Sequence, residues 1–214
     1  MKTKTFAWTV FAILALSVGV YPLTYYIIDM HGKGLWASKT NELIANTIWH
    51  TAFYTHITFG GIALLIGWTQ FSQKLRDHYL NTHRTIGKIY VGSVMLSSLA
   101  GFYIALFASG GITCTLGFGG LAVAWFFTVL MAYTRILKRD IKQHENWMIR
   151  NYALTFAAVT LRIYLPISSQ LLHLDFISAY RVISWLCWVP NLIVAEMIIS
   201  KRTRIPAYAV RASE

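Results

Sequence analysis

The sequence predicts an all-α polytopic membrane bundle of six transmembrane helices with both termini in the cytoplasm. Three observations predict it. Of 214 residues, 56% are hydrophobic and 13% charged, with mean hydropathy +0.51. Soluble domains carry about twice that charged fraction, near 25%, and a chain this apolar cannot remain solvated as a disordered one. Second, several charge-free stretches exceed the roughly 20 apolar residues that a bilayer crossing needs. Third, the net charge of +11 falls in the segments between those stretches. That placement points to the lipid bilayer as partner and away from nucleic acid.

The elements follow in order. Thr5 to Ile28 carries no charge and predicts a first helix over about 5–28. Its apolar run is long for a signal peptide, and no small-residue cleavage pattern precedes Pro22, so a retained helix is expected. Leu43 to Gln73 is charge-free and predicts a second helix over 45–72. Ile89 to Thr134 is charge-free for 46 residues, which as one helix would run to about 69 Å, more than twice the hydrocarbon thickness. It therefore divides into helices over 86–108 and 117–137, with Gly110, Gly111, Gly117, Gly119 and Gly120 supplying the turn. Asn151 to Leu174 is interrupted only by Arg162 and predicts a fifth helix over 147–170, and Val182 to Ser200, interrupted only by Glu196, predicts a sixth over 180–200. No linker divides the chain, so residues 1–214 form a single integral membrane domain.

Orientation follows from the Lys/Arg bias of short loops. Fifteen basic residues fall on the side of Lys2, Lys74, Arg139 and Lys201, against Lys33, Lys39 and Arg181 on the other. The two cysteines, Cys114 and Cys187, are too few for a disulfide framework, and packing is the expected role of Cys187. No metalloprotease His pair and no Gly-x-Ser-x-Gly elbow occur, which disfavours those hydrolases.

Ionisable residues at membrane depth mark candidate sites, because a charge in hydrocarbon is costly. Arg162 has 11 uncharged residues before it and 12 after. Pro166 and Pro190 each remove a helical hydrogen bond and predict kinks at matching depth, with Asn191 beside the second. His56 lies at a similar level on the second helix. These residues predict a polar pocket of His56, Arg162 and Asn191. Glu196, close to Lys201, reads as an interfacial carboxylate rather than a partner of Arg162. Among the remaining histidines, His31 and His173 fall on the outer side. His50 and His56 are six residues apart and so about 120° apart around their helix. His78, His83 and His144 lie at the cytoplasmic side, where His83 and His144 open facing helices. Imidazole is the usual haem ligand in bundle cytochromes. The fourth helix has no His to face His56, which leaves a second, outer haem without an obvious ligand.

Several stretches together carry a resemblance. They are His56-x3-Gly60-Gly61, Gly67-x2-Gln70-Phe71, His83-Arg84-x-Ile-Gly87-Lys-Ile-Tyr90, His144-x2-Trp147-Met148-x-Arg150-x-Tyr152-Ala-Leu-Thr155, Leu161-Arg162 and Trp188-Val-Pro190-Asn191. Over residues 45–200 the chain resembles a prokaryotic family of multi-helix membrane proteins defined only as a domain of unknown function. The resemblance implies a bundle in the bacterial inner membrane marked by His56, Gln70, His83, Arg84, His144, Arg150, Arg162 and Asn191, and implies no established reaction. A looser similarity is to the four-helix core of cytochrome b561-type proteins.

The leading expectation is a membrane redox protein that binds haem b, a quinone or both. His83 and His144 are the candidate axial ligands, with Arg84, Gln70 and Arg150 as further cofactor contacts. Arg162 with His56 would meet a propionate, a quinone oxygen or a transferred proton. One alternative is a permease or sensor holding a small anionic solute through Arg162. Another is an enzyme using a metal bound by His78, His83 and His144.

Overall fold

In the computed structural model, which describes residues 2–30, 32 and 34–204, eleven α-helices follow one another, joined by short 3-10 and π turns. They are α1 Lys2–Val20, α2 Thr24–Ile27, α3 Asn41–Ala45, α4 Thr47–Gly67, α5 Gln73–His78, α6 Leu80–Ala105, α7 Ile112–Leu137, α8 Ile141–Thr155, α9 Ala157–Pro166, α10 Phe176–Leu186 and α11 Val189–Arg204. No strand occurs among the described residues. His31, Lys33 and the tail 205–214 lie outside them.

The centre is a four-helix arrangement in which α4 packs on α6, α6 on α7 and α7 on α8, each pair joined by a short connection. α1 lies against α4 and α9, α10 against α7 and α9, and α11 against α8. Tyr90, Val94, Leu64, Val129, Leu154 and Val159 form the largest core cluster. Side chains such as Leu99, Val123, Phe127 and Ile193 point outward at about half exposure, as lipid-facing positions do in a bundle without a hydrophobic drive between helices.

Five helical segments are long and apolar enough to cross a membrane: Phe6–Ile27, Thr47–Phe71, Leu80–Ala105, Ile112–Leu137 and Phe176–Arg202. The expected continuous helix over 147–170 is instead broken. α8 starts at Ile141, six residues earlier than expected, with the Asp140 carboxylate accepting from Gln143 N at 3.1 Å, and it ends at Thr155. α9 follows after Phe156 and gives way to a π turn over Ile167–Leu171. Thr155 and Thr160 flank the break and donate to the carbonyls of Asn151 and Phe156 at 3.0 and 3.1 Å. Such back-bonding competes with the helical ladder and bends it.

The turn between α6 and α7 is also shorter than expected. Of the five glycines expected in it, only Gly110 and Gly111 take positive φ, 100° and 73°, where a side chain would be strained. Gly117, Gly119 and Gly120 lie inside α7 rather than in the turn, and Gly117 sits against Ser184. Pro166 is the last residue of α9, which runs directly into the π turn over Ile167–Leu171. Pro190 sits in the first turn of α11, after a break at Cys187–Trp188, a position where its missing N–H costs nothing. Both cysteines are free and buried.

Candidate functional site

Four of the central helices contribute to a polar column inside the bundle. At its middle the Tyr90 hydroxyl on α6 donates to Asn151 Oδ1 on α8 at 2.6 Å and lies 2.9 Å from Thr155 Oγ1. Asn151 Nδ2 donates to the Trp125 carbonyl at 2.9 Å and to Thr128 Oγ1 at 2.8 Å, both on α7. Trp125 Nε1 donates to Thr155 Oγ1 at 2.9 Å. Asn151 and Thr155 share a helix face because they are four residues apart. Where lipid offers no partner, polar groups must satisfy one another internally. This network was not among the expected site residues. Its signal in the sequence is the Asn151/Thr155 spacing inside an otherwise apolar segment.

Above the network sits His56. Its Nδ1 lies 2.9 Å from the Ser97 carbonyl. A carbonyl only accepts, so Nδ1 carries the hydrogen and Nε2 is the basic nitrogen. Ser97 Oγ returns a bond to the His56 carbonyl at 2.8 Å, and the ring meets Trp125 edge-on at 6.4 Å. Gly101 makes room, since a Cβ there would stand 2.7 Å from His56 Nδ1.

Arg162 acts electrostatically on His56, yet it does not share a pocket with Asn191. Its Nη1 donates to the Ala158 carbonyl at 3.1 Å and its guanidinium stacks 4.6 Å from the Tyr21 ring centre. No carboxylate pairs with it among the described residues. Asn191 faces the other side of α9. Its Nδ2 donates to Thr160 Oγ1 at 2.9 Å, to the Cys187 carbonyl at 3.1 Å and to the Ala153 carbonyl at 3.2 Å. Thr160 and Arg162 are two residues apart, about 160° around a helix, and the expected three-residue pocket divides accordingly. Asn191 instead clasps the α8/α9 break, where the Ala153 carbonyl has lost its helical donor.

The end of the bundle that carries α5, the start of α8 and the end of α11 is strongly basic. There Glu145 takes Arg76 at 2.6 Å and Arg202 at 2.8 Å. Arg150 pairs with Glu196 at 2.5 and 2.8 Å and lies over the Trp147 ring at 4.6 Å. His144 Nδ1 donates to the Ala132 carbonyl at 2.9 Å, so its Nε2 is the basic nitrogen. His83, in the first turn of α6, has a buried Nδ1 without a hydrogen-bond partner. His144, Arg76, Arg84 and Glu145 all act on it electrostatically. Arg84 itself is exposed. Gln70 is buried, with its amide 3.4 Å from Thr69 Oγ1 and its oxygen facing Gly87. No group of three or more His, Cys, Asp or Glu side chains placed to hold a metal ion occurs among the described residues, which leaves the His78, His83 and His144 set without a metal geometry.

At the opposite end Lys39 Nζ donates to the Phe107 carbonyl and to Ser109 Oγ at 3.0 Å, and Arg181 Nε to the Gly110 carbonyl at 2.9 Å. Burial pushes the Lys39 amine down to about 8. Both cations thus cap the carbonyls of the α6–α7 turn.

The fold and its apolar helices define a multi-pass membrane protein with polar groups buried along the bundle. The chain belongs to the family described as predicted membrane protein (DUF2306), whose profile matches residues 53–199. No curated protein and no solved structure matches the chain, and the similarity to cytochrome b561-type proteins finds no support.

Proposed function

We propose that the protein is a redox protein of the bacterial inner membrane that binds haem b at its basic end, between His83 and His144, and exchanges electrons with a quinone. The observation that carries this reading is the His83 ring, whose buried Nδ1 lacks a partner beside a second imidazole. An unpaired buried nitrogen costs about 1–3 kcal/mol unless something binds it. The His144 ring is held by Ala132 in the tautomer that leaves Nε2 free to ligate, the usual outer-sphere arrangement of a metal-bound histidine. Arg76 and Arg84 would offset propionate charge. A haem there would supply one-electron chemistry, and the basic Nε2 of His56 would take up or release a proton.

The test is an optical spectrum of protein purified after expression with haem supplied. A Soret band that is lost in both His83→Ala and His144→Ala, with helicity kept, supports the reading. Its absence from the wild-type protein sinks it. A second reading has one observation in its favour, the guanidinium of Arg162 without a carboxylate. That charge would hold an anionic solute, and proteoliposome uptake that vanishes in Arg162→Gln would favour this reading.

A further inference from the structure

On the exposed face of α2 and α4 lies a shallow, open groove of about 600 Å3 lined by Tyr25, Tyr26, His50, Thr51, Tyr54, Thr55, Thr58 and Phe59. We infer that this groove is a binding site for the headgroup of a membrane quinone or quinol. Three features of the lining select that class of ligand.

The first is unspent hydrogen-bonding capacity. Tyr54 donates its hydroxyl to the Tyr25 carbonyl at 2.9 Å, and the Tyr26 and Thr58 hydroxyls are 2.5 Å apart. By contrast, the side chains of His50, Thr51 and Thr55 form no hydrogen bond among the described residues. All three sit in the first turns of a membrane-spanning helix, from about one to two turns past its start. Polar groups facing lipid at that depth are costly to leave unpaired. A ligand bearing oxygens would satisfy them.

The second is shape. The His50 and Tyr54 rings lie 4.6 Å apart, and Tyr26 meets Tyr54 at 4.8 Å, edge to face. Such rings make walls for a flat ring rather than for an acyl chain.

The third is charge. Among the described residues no Lys, Arg, Asp or Glu lines the groove, which suits a neutral headgroup and disfavours a phosphate-bearing lipid. Beside it, Leu23, Ile27 and Ile28 are exposed and offer an apolar track for an isoprenoid tail. The Tyr25 wall continues through the Tyr21 ring at 6.0 Å to the Arg162 guanidinium. Arg162 therefore flanks the groove from behind and is not its lining.

This assignment deepens the redox reading and rests on it for the choice of a quinone. It differs from the sequence-based expectation, which set a quinone oxygen at His56 and Arg162, in placing the quinone at His50. The experiment is photolabelling of the full chain in phospholipid vesicles with a short-tailed azidoquinone, followed by peptide mapping. Label on residues 47–59 or 21–28, displaced by excess unlabelled quinone, is expected. In the double variant His50→Phe/Thr55→Val, labelling should fall about 10-fold, as the loss of roughly 1.4 kcal/mol of hydrogen bonding implies. Both positions face outward, and an unchanged melting temperature in detergent checks that the variant folds. Label confined to α9, or to α6 and α7 around Ser97 and Trp125, full labelling of the double variant, or equal labelling by an azido-phospholipid would each overturn the assignment. The haem reading fails separately, through the absence of a Soret band, because the photolabel requires no haem.

Discussion

Asn151 shows how much a single side chain holds at the bundle centre. It accepts from Tyr90 and donates to both a hydroxyl and a carbonyl of α7, joining three helices through one amide. Replacing it with leucine leaves the Trp125 carbonyl and the Tyr90 hydroxyl short of partners in a place without water. Asn151→Leu should therefore cost about 1–3 kcal/mol, towards the lower end if the membrane-bound unfolded state finds substitutes. Ser98→Ala, which removes only a local bond to the Met95 carbonyl, should cost less than ~1 kcal/mol. Thermal unfolding in detergent measures both, and equal effects would deny the network its role. Lys39 carries a pH signature. Its amine sits near 8 in the fold against 10.5 when free, so the folded state binds fewer protons between those values. Its burial penalty is present below about 8 and is relieved as pH rises through the window. Relative to Lys39→Met, the wild-type protein should gain stability from pH 8 to 10. Labelling by an amine-reactive reagent should reach half its maximal rate at Lys39 near pH 8, and a midpoint above 10 would show a solvated amine.

Among helices, close approach is set by glycine. A Cβ on Gly67 of α4 would stand 2.6 Å from Tyr90 Cε2 and 2.7 Å from Tyr152 Cδ2, both rings held by hydrogen bonds. Gly67→Ala should therefore overpack the α4–α6–α8 junction at about 1–3 kcal/mol. It should also loosen the Tyr90–Asn151 bond, seen as a larger melting-temperature loss than Gly92→Ala, whose Cβ meets nothing within 4 Å. Equal losses would count against tight packing there. These elements also show where sequence patterning is informative. The charge-free runs located four of the spanning helices, because hydrocarbon thickness leaves a strong compositional trace. The break at Phe156 left no such trace. It comes from two threonines bonding their own helix and from Asn191, a residue 38 positions away from the carbonyl it rescues. In the same way Arg162 and Asn191 stood out as polar residues at membrane depth. That they lie on different faces of α9 depends on a helix phase that is reset at the break.

At the scale of the whole molecule, charge divides the two ends. One end gathers Arg76, Arg84, Arg135, Lys138, Arg139, Lys142, Arg150 and Arg202, with Glu145 and Glu196 neutralising part of this charge by drawing α5, α8 and α11 together. At the other end Lys39 and Arg181 are both engaged with turn carbonyls. Exposed ion pairs contribute little to stability, about 0–1 kcal/mol each, so the asymmetry has more to do with insertion than with folding. By the rule that Lys and Arg are retained on the cytoplasmic side, the proposed orientation would set the basic end, with His83 and His144, towards the cytoplasm and the His50 groove towards the outer leaflet. The two native cysteines are buried at 0% and 1% exposure, which makes single-cysteine labelling practicable. A membrane-impermeant maleimide applied to intact spheroplasts should modify Glu42→Cys, on α3, and spare Lys142→Cys, on α8, until the membrane is opened. The reverse pattern would invert the molecule. It would carry the proposed haem side outward and leave the quinone groove in the inner leaflet, with the two sites still on opposite sides of the bilayer midplane.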